Sequence, residues 1–533
     1  MSAGLLISLP LPLQLALALV ASTAGYVAYK WWDNYSRLQN IPVPDGASKI
    51  WGHEWLEFED DCGSQWRQWI TRFGPNFKIK GAWGHHDILC VTDPKAIDRI
   101  LCKNAYNYPH SAVFRPIIER LTGRGIVWVE GEHAHKPMRA LLAPAFTLDR
   151  IRAMGPDMWL AVNNVVSRLQ SQIESHGGVR DVNMLDWTAT STLDVIGRVA
   201  FAHDFQQGQS PEARSIMEGW RKQANLGMVW EGFLALLALR QFPWIGQLPL
   251  PSIKAQSNIK NTIKPLANKL IQRGVSDIDN GRDLLSILLR ANLGEKQEKR
   301  ISDDELLDHI VTFVIAGHET TSVVLNFTLY MLAQHPEVQR KLREEVMSTD
   351  RESTFDELWS SENFPYLDAV TREGFRLFPP SARNEKVAEK DDILPLATPI
   401  VGTDGRLIHE IPIKAGQVIH IPVVAVNRFS SVWGDGDSFR PERWIEKSGT
   451  PDGKFLPGAW SGMLTFLVGA RSCLGYRLAV FEMKILIMAF IRAFEFEVIE
   501  PIESRMSATI QPRVISRPED GACLPLRLRP VVA

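Results

Sequence analysis

One cysteine-centred loop near the C-terminus constrains this chain more than any other stretch. It reads FLVGARSCLG at residues 466–475, with Phe466 seven residues before Cys473, Arg471 two before it and Gly475 two after it. The glycines allow close passage of the backbone past a flat group, or positive φ angles. A helical run follows, so we predict that the cysteine lies near a helix N-terminus, where the dipole favours the thiolate. Such a thiolate is either a nucleophile or a metal ligand.

The remaining cysteines indicate neither disulfides nor structural zinc. The chain has five, at positions 62, 90, 102, 473 and 523, and no Cys-x-x-Cys pair. An odd number at wide spacing argues against both kinds of framework, so the other four are expected to pack as small apolar residues. Hydrophobic residues make up 45% of the 533 positions and the net charge is −2. The chain can therefore build one large core, and no basic excess suggests a nucleic-acid partner.

The first 32 residues are predicted to form a membrane anchor. No charged residue occurs at positions 5–29, and Lys-Trp-Trp follows at 30–32. Such a run exceeds the roughly 20 apolar residues that span a bilayer, and aromatic residues are typical of the interface. A cleaved signal peptide is the alternative, but it normally has a basic start and a shorter apolar core. Residues 33–50, which contain two prolines, are then expected to be a short linker, and residues 51–533 the globular domain.

The longest helix signal begins at Ser302, where Ser302 and Glu305 form a capping-box pattern, and continues to about Gln334. At about 1.5 Å per residue this helix is roughly 50 Å long, enough to cross the whole domain. Other helical patterns and a few short alternating strands predict a mainly α fold with a smaller β region.

Small and polar residues interrupt the centre of this apolar helix. Ala316 and Gly317 would let a flat ligand approach the backbone, and Glu319 and Thr320 follow directly. A hydrogen bond from Thr320 to the carbonyl of Ala316 is the purely structural alternative. Glycine and two threonines lower helix propensity, so a functional role is favoured.

Three further features have two readings each. Glu373 and Arg376 are three apart on a helix, usually a surface pair of little energetic value. His135 and Arg139 share a helix face, either as donors to an anion or as a solvated basic face, and the stretch alone favours the second. The apolar segment 226–251 is either a core helix pair or an amphipathic element at a membrane surface; the predicted anchor favours the latter.

Four motifs, at residues 316–321, 373–376, 439–444 and 466–475, stand in the order seen in one family. Together they resemble the cytochrome P450 superfamily of haem-thiolate monooxygenases, most closely its fungal microsomal members, and the resemblance covers essentially the whole chain. It implies the fold of that family: a helical haem domain with a long central helix, here behind an N-terminal transmembrane helix.

The resemblance assigns roles to individual residues. It implies that Cys473 is the axial thiolate ligand of haem b and that Phe466 packs beside it. Arg471, Arg139 and His135 would donate to the haem propionates. His135 stands where the family usually has tryptophan.

The resemblance also implies two groups away from the propionates. Glu373, Arg376 and Arg443 would form a buried charge network that ties the cysteine loop to the core. Thr320 would hydrogen-bond dioxygen, with Glu319 relaying protons, and a kink at the two small residues before them would make room for it.

The implied activity is oxidation of a lipophilic small molecule with O2 and electrons from NADPH. Because the chain shows no flavin or nicotinamide module, a separate NADPH–cytochrome P450 reductase is the expected partner, docking near the cysteine loop. The expected location is the endoplasmic reticulum membrane, with the domain facing the cytosol, and the expected substrate is a secondary metabolite such as a terpenoid. The alternatives are a haem-thiolate isomerase or dehydratase, which tends to lack the acid–threonine pair, and a non-enzymatic haem sensor. Substrate contacts are expected at residues 104–127, 226–250, 314–320, 381–386 and 507–511.

Overall fold

A computed structural model of the protein describes residues 38–248, 251–276, 283–294, 300–446, 450–451 and 455–531, with residues 22 and 25 in isolation. The predicted anchor at residues 1–32 lies outside the described residues, apart from those two positions. The fold is mainly helical with small sheets, as predicted.

Helices α1 to α19 follow one another in chain order in the described residues. The first ten are α1 (Glu54–Glu59), α2 (Ser64–Phe73), α3 (Pro94–Asp98), α4 (Phe114–Thr122), α5 (Glu132–Leu142), α6 (Leu148–Glu174), α7 (Met184–Phe201), α8 (Pro211–Gly227), α9 (Trp230–Gln241) and α10 (Pro251–Ser276). The others are α11 (Leu284–Gly294), α12 (Asp303–Gln334), α13 (Pro336–Val346), α14 (Phe355–Trp359), α15 (Pro365–Leu377), α16 (Val423–Val426), α17 (Ser430–Trp433), α18 (Glu442–Glu446) and α19 (Tyr476–Ala493).

The strands form four small sheets. They are β1 (Asn76–Ile79), β2 (Ile88–Val91), β3 (Arg180–Asn183), β4 (Asn384–Val387), β5 (Asp392–Val401), β6 (Leu407–Ile413), β7 (Val418–Ile421), β8 (Phe494–Val498), β9 (Ile502–Met506), β10 (Ile510–Val514) and β11 (Pro525–Pro530). The largest sheet has the order β1-β2-β7-β4, in which only β2 and β7 are parallel. The others are β3-β11-β8 and the hairpins β5-β6 and β9-β10.

Helix α12 is the centre of the domain, and its predicted bounds are confirmed. Ser302 caps it: the Ser302 hydroxyl accepts from the Glu305 N–H, and the Glu305 carboxylate accepts from the Ser302 N–H. The helix is long and apolar enough to cross a membrane, but most of its residues are buried by protein. Its apolar character is therefore explained by its place in the core.

Helix α12 crosses α7 at close range, and this crossing explains one of its glycines. A Cβ added at Gly317 would lie 2.6 Å from side-chain atoms of Ile196 on α7. Real Cβ atoms do not come that close, so the glycine is required by helix packing. Our expectation that Gly317 serves the approach of a flat ligand therefore has a competing structural cause, and α12 continues through this point without a break.

The described part of the predicted linker packs on the domain. Leu38 and Ile41 are buried in the same apolar cluster as Leu89 and Val91 of β2, and the Lys78 N–H donates to the Pro42 carbonyl at 2.8 Å. His53 also bonds the Pro44 carbonyl at 3.0 Å. From residue 38 onward this segment is part of the folded body.

Candidate active site

The cysteine loop is closed by a backbone hydrogen bond and an aromatic cluster. The Cys473 N–H donates to the Phe466 carbonyl at 2.8 Å, so the two residues are adjacent, as expected. The Phe466 ring packs against Phe375 and Trp460, with centroids 5.0 Å and 5.3 Å away, and lies 5.9 Å from Tyr476. These rings hold the loop in one shape before α19 begins.

The two glycines of the loop, Gly469 and Gly475, have different surroundings. Gly469 has φ +74°, and a Cβ there would lie 2.2 Å from the Leu101 carbonyl oxygen, so close backbone contact requires it. A Cβ added at Gly475 would make only an ordinary contact, 3.6 Å, with the Phe146 ring, so packing does not require this glycine. The Phe146 ring in turn lies 5.8 Å from the ring of Phe313 on α12.

The surroundings of Cys473 have opposing effects on its thiol. Its side chain is accessible to a water-sized sphere, yet the protein surrounding it raises the pKa of the thiol by burial, against the opposing effects of the Gly475 N–H and Arg139. The Gly475 N–H at the start of α19 lowers the pKa of the thiol, in the predicted direction, but burial outweighs it. A bound cation reverses this balance, since a thiol that coordinates a metal is deprotonated.

The middle of α12 has two residues that are not buried. Ala316 is exposed and Thr320 half-buried, although the residues before Ala316 on the helix are buried. The Thr320 hydroxyl donates to the Ala316 carbonyl at 2.7 Å, so the structural alternative for this threonine is realised. The lone pairs of the Thr320 oxygen remain available to accept a hydrogen bond from a ligand.

The Glu319 carboxylate is buried and points to the β9-β10 hairpin. Its Oε1 accepts hydrogen bonds from Thr509 Oγ1 and Gln511 Nε2, both at 2.8 Å. His318, its neighbour on the helix, is also buried, and burial lowers the pKa of this imidazole. The acid is thus held by residues that lie about 190 positions further along the chain.

The three basic residues that the resemblance assigns to the haem propionates lie close together. His135 is buried, so its predicted solvated face is wrong; burial, Arg471 and Arg139 lower the pKa of His135 to about 4. Its Nδ1 lies 3.1 Å from the Tyr106 hydroxyl. Arg139 donates to the Ser472 carbonyl and hydroxyl at 2.8 Å and 3.1 Å, which ties α5 to the cysteine loop.

One carboxylate partly balances these cations. Arg471 forms an ion pair with Glu130, and burial would raise the pKa of Glu130, but hydrogen bonds from His110 and the charge of Arg471 lower it. Lys386 is buried beside the pair; burial and Arg471 lower the pKa of this ammonium to about 8. Positive charge is in excess here.

Unpaired donors show that this group is built for an anion. Arg471 Nε, Arg115 Nε and Trp128 Nε1 are buried and have no acceptor among the described residues. The Arg115 guanidinium also stacks on the Trp128 ring at 4.3 Å. A buried donor without a partner costs about 1–3 kcal/mol, so a dianionic group such as the two haem propionates would satisfy what the protein leaves open.

The predicted charge network is complete and fully buried. Arg376 donates to both Glu373 oxygens at 2.9 Å and 2.7 Å, and Arg443 Nε donates to Oε1 at 3.0 Å. Trp444 Nε1 adds a bond to Oε2 at 2.9 Å. All three charged side chains are 0% exposed. The interpretation as a surface salt bridge is excluded.

The network reaches the cysteine loop through backbone groups. Arg376 donates to the Asn427 carbonyl at 3.0 Å, and the Asn427 side chain bonds Thr465 Oγ1 and the Leu464 N–H at 2.9 Å and 2.8 Å. Thr465 directly precedes Phe466. The network therefore sets the position at which the loop starts.

A cavity of about 500 Å³ lies among α1, α4, α8, α9, β4 and the β9-β10 hairpin, and none of the described residues of α12 or of the cysteine loop forms its wall. Four of the five expected substrate-contact segments contribute to its wall, those at 104–127, 226–250, 381–386 and 507–511. Its walls are mainly apolar, and they include Val113, Phe114, Ile117, Leu121, Phe233 and Leu236. One end is polar, with the Arg240–Glu54 ion pair, Arg383 and Glu385.

Some functional candidates were missed by sequence reasoning. Lys386 lies on β4, next to Glu385. Because successive side chains of a strand point to opposite faces, the two lie on opposite faces of the sheet. The sequence shows this alternation of side chains. Arg115 and Trp128, by contrast, lie in a segment without clear periodicity. Thr509 and Gln511 had been assigned only to a general substrate-contact range.

Fold and site together define a haem-thiolate protein: a cysteine in a rigid loop, a polar interruption in the central helix, and buried donors for an anionic group. Comparison with known proteins agrees. The family model described as Cytochrome P450 matches residues 42–522. Cytochrome P450 monooxygenase 205 of Postia placenta is 33% identical over 522 residues, 93% of each chain. Cytochrome P450 monooxygenase claP of Ampulloclitocybe clavipes is 33% identical over 496 residues, 90% of each.

The chain belongs to the cytochrome P450 family, as the four motifs predicted. It is a monooxygenase that binds haem through a cysteine thiolate, and the family implies use of O2, a redox partner and a lipophilic substrate. The alternatives of an isomerase and of a non-enzymatic sensor are not supported by these relatives.

Proposed function

We propose that the protein is a membrane-anchored monooxygenase that oxidises a lipophilic secondary metabolite, such as a terpenoid, with electrons from NADPH–cytochrome P450 reductase. Residues 1–32 would anchor it in the endoplasmic reticulum membrane, with residues 51–533 as the catalytic domain in the cytosol. The observation that carries the substrate class is the cavity of about 500 Å³ with mainly apolar walls.

In this proposal the Cys473 thiolate would hold the haem iron. Arg471, Arg139, His135 and Lys386 would bind the propionates. Haem held by a thiolate supplies activation of dioxygen, because the thiolate donates electron density that favours O–O cleavage. The protein orients the substrate, excludes water and delivers protons.

Proton delivery is assigned to Glu319 and Thr320. The Thr320 hydroxyl, which donates to the Ala316 carbonyl, would accept a hydrogen bond through its lone pairs. Glu319 is one residue away and takes up protons from water. The overall reaction consumes two protons and two electrons for each dioxygen; one oxygen atom enters the substrate and the other leaves as water.

An exposed apolar patch supports association with a membrane. Trp230, Phe242, Trp244 and Leu248 are 38%, 50%, 59% and 38% exposed, although α9 buries Phe233 in the same segment. Large exposed aromatic residues are typical of interfacial elements. The exposed side chains of this segment support the membrane-surface alternative, while the buried Phe233 packs α9 on the domain.

Reconstitution tests this function. The full-length protein, a microsomal diflavin reductase and NADPH are incubated with a library of terpenoids, fatty acids and sterols, and binding is followed by the spectral shift of the haem. We expect at least one terpenoid to give both a shift and a product larger by one oxygen atom. Turnover of fatty acids alone would refute the substrate class, and turnover without NADPH would refute the need for the reductase.

A further inference from the structure

The hairpin of β9 and β10 holds the acid of the central helix. Thr509 Oγ1 and Gln511 Nε2 each lie 2.8 Å from Glu319 Oε1, and Gln511 Nε2 lies 2.7 Å from Thr509 Oγ1. The three side chains form a closed triangle and are 5%, 9% and 4% exposed in the order Glu319, Thr509, Gln511. Because the Thr509 proton goes to Glu319, Gln511 can donate to both of the others.

Both donors act on the same oxygen of the carboxylate. No described residue donates to Glu319 Oε2, and this atom is not fully shielded from solvent. Oε2 is therefore open to water while Oε1 is fixed. A carboxylate held in this way has one rotamer and one oxygen available for proton exchange.

The same hairpin touches the substrate cavity. Met506, Ser507 and Ala508 form part of its wall. The turn is itself fixed: Ser507 Oγ donates to the Ala224 carbonyl at 2.9 Å, and the Ile510 N–H to the Pro380 carbonyl at 2.9 Å. One short segment thus lines the cavity on one side and holds the acid on the other.

We propose that Thr509 and Gln511 are positioning residues for proton delivery. They hold the Glu319 carboxylate so that Oε2 faces water. Each proton that Oε2 takes from one water molecule leaves from the same oxygen to the next, which regenerates the carboxylate. Electrons come from the diflavin reductase. The inference rests on the proposed role of Glu319.

Isosteric substitutions test this arrangement. Thr509→Val and Gln511→Met keep the side-chain volume but remove the donors to Oε1. Thr509→Ser keeps the hydroxyl and is the rescue variant. Thr371→Val is the matched control, since Thr371 is buried and bonds only the Leu367 carbonyl of its own helix.

The measurements are product formed per NADPH, hydrogen peroxide released, and the solvent deuterium isotope effect on turnover. For Thr509→Val and Gln511→Met we expect coupling to fall roughly 3- to 10-fold and the isotope effect to increase. That loss is smaller than the roughly 10²- to 10⁴-fold effect of removing a general acid. Thr509→Ser should recover most of the coupling, and the carbon monoxide spectrum and substrate binding should not change.

The outcomes separate this inference from the role of Glu319. If Thr509→Val and Gln511→Met couple as well as Thr371→Val while Glu319→Gln uncouples, the positioning role is refuted and the acid role stands. If Glu319→Gln also couples normally, the acid role itself is refuted. Should Thr509→Val bind no haem, Gln511→Met and Thr509→Ser decide the question.

Discussion

Replacing Arg376 tests the energetic argument for the buried network most directly. Its guanidinium makes five hydrogen bonds: two to Glu373 and one each to the Asn427, Gly436 and Ser438 carbonyls, at 2.6–3.0 Å. The side chain is 0% exposed. These bonds are therefore sealed from bulk solvent.

The cost of Arg376→Met follows from these contacts. Breaking a buried ion pair costs about 3–5 kcal/mol, although Arg443 and Trp444 still donate to Glu373. Each carbonyl left unpaired adds about 1–3 kcal/mol. We therefore expect a loss of at least ~4 kcal/mol, a large part of the roughly 5–15 kcal/mol that stabilises a domain. Arg376→Lys keeps the charge, but its ammonium has only three protons. Arg376→Lys should therefore lose about half as much unfolding free energy as Arg376→Met.

Urea unfolding of the haem-loaded protein, followed by far-UV circular dichroism and by haem absorbance, measures this loss. Arg340→Met is the matched control: Arg340 pairs with Glu344, and both are more than 60% exposed, so its loss costs about 0.5 kcal/mol or less. Haem should be released before the helices unfold, because Asn427 links the network to the cysteine loop. An unfolding free energy for Arg376→Met within ~1 kcal/mol of Arg340→Met refutes the reasoning.

Three other substitutions give distinct results. Cys473→Ser should abolish the strongly red-shifted carbon monoxide band of the reduced protein; a normal band would remove Cys473 as the ligand. Thr320→Ala should retain haem but divert reducing equivalents to hydrogen peroxide, and full coupling would contradict its role. Burial raises the pKa of Glu482 well above its usual value, so the unfolded state ionises first as pH rises and stability is lost. Glu482→Gln should therefore raise the thermal midpoint at pH 8 by roughly 1–2 °C but hardly at pH 5; an equal shift at both would refute this.

Local signals predicted much of the fold. The capping box at Ser302 and the apolar period after it depend on residues within a few positions of one another, and α12 has the predicted bounds. The cysteine loop is equally local, since Phe466 and Cys473 are joined by one backbone hydrogen bond. For the same reason the family could be identified from four short motifs in order.

The wrong interpretations concern burial. The sequence favoured a solvated face for His135, but this side chain is buried. Glu373 and Arg376 alone suggested a surface pair, and only the resemblance placed them inside. Burial depends on which elements cover a helix, and the period of that helix does not contain this information.

The sequence by itself therefore determined the type of chemistry: a cysteine in a glycine-containing loop and a polar break in an apolar helix. Only the tertiary structure decided how those groups are held. Glu319 contacts Thr509 and Gln511, which lie about 190 residues further along the chain. Lys386, on strand β4, lies beside the Arg471–Glu130 ion pair. Such contacts form when separate elements pack into one core, because packing brings together side chains that have no spacing rule in the sequence.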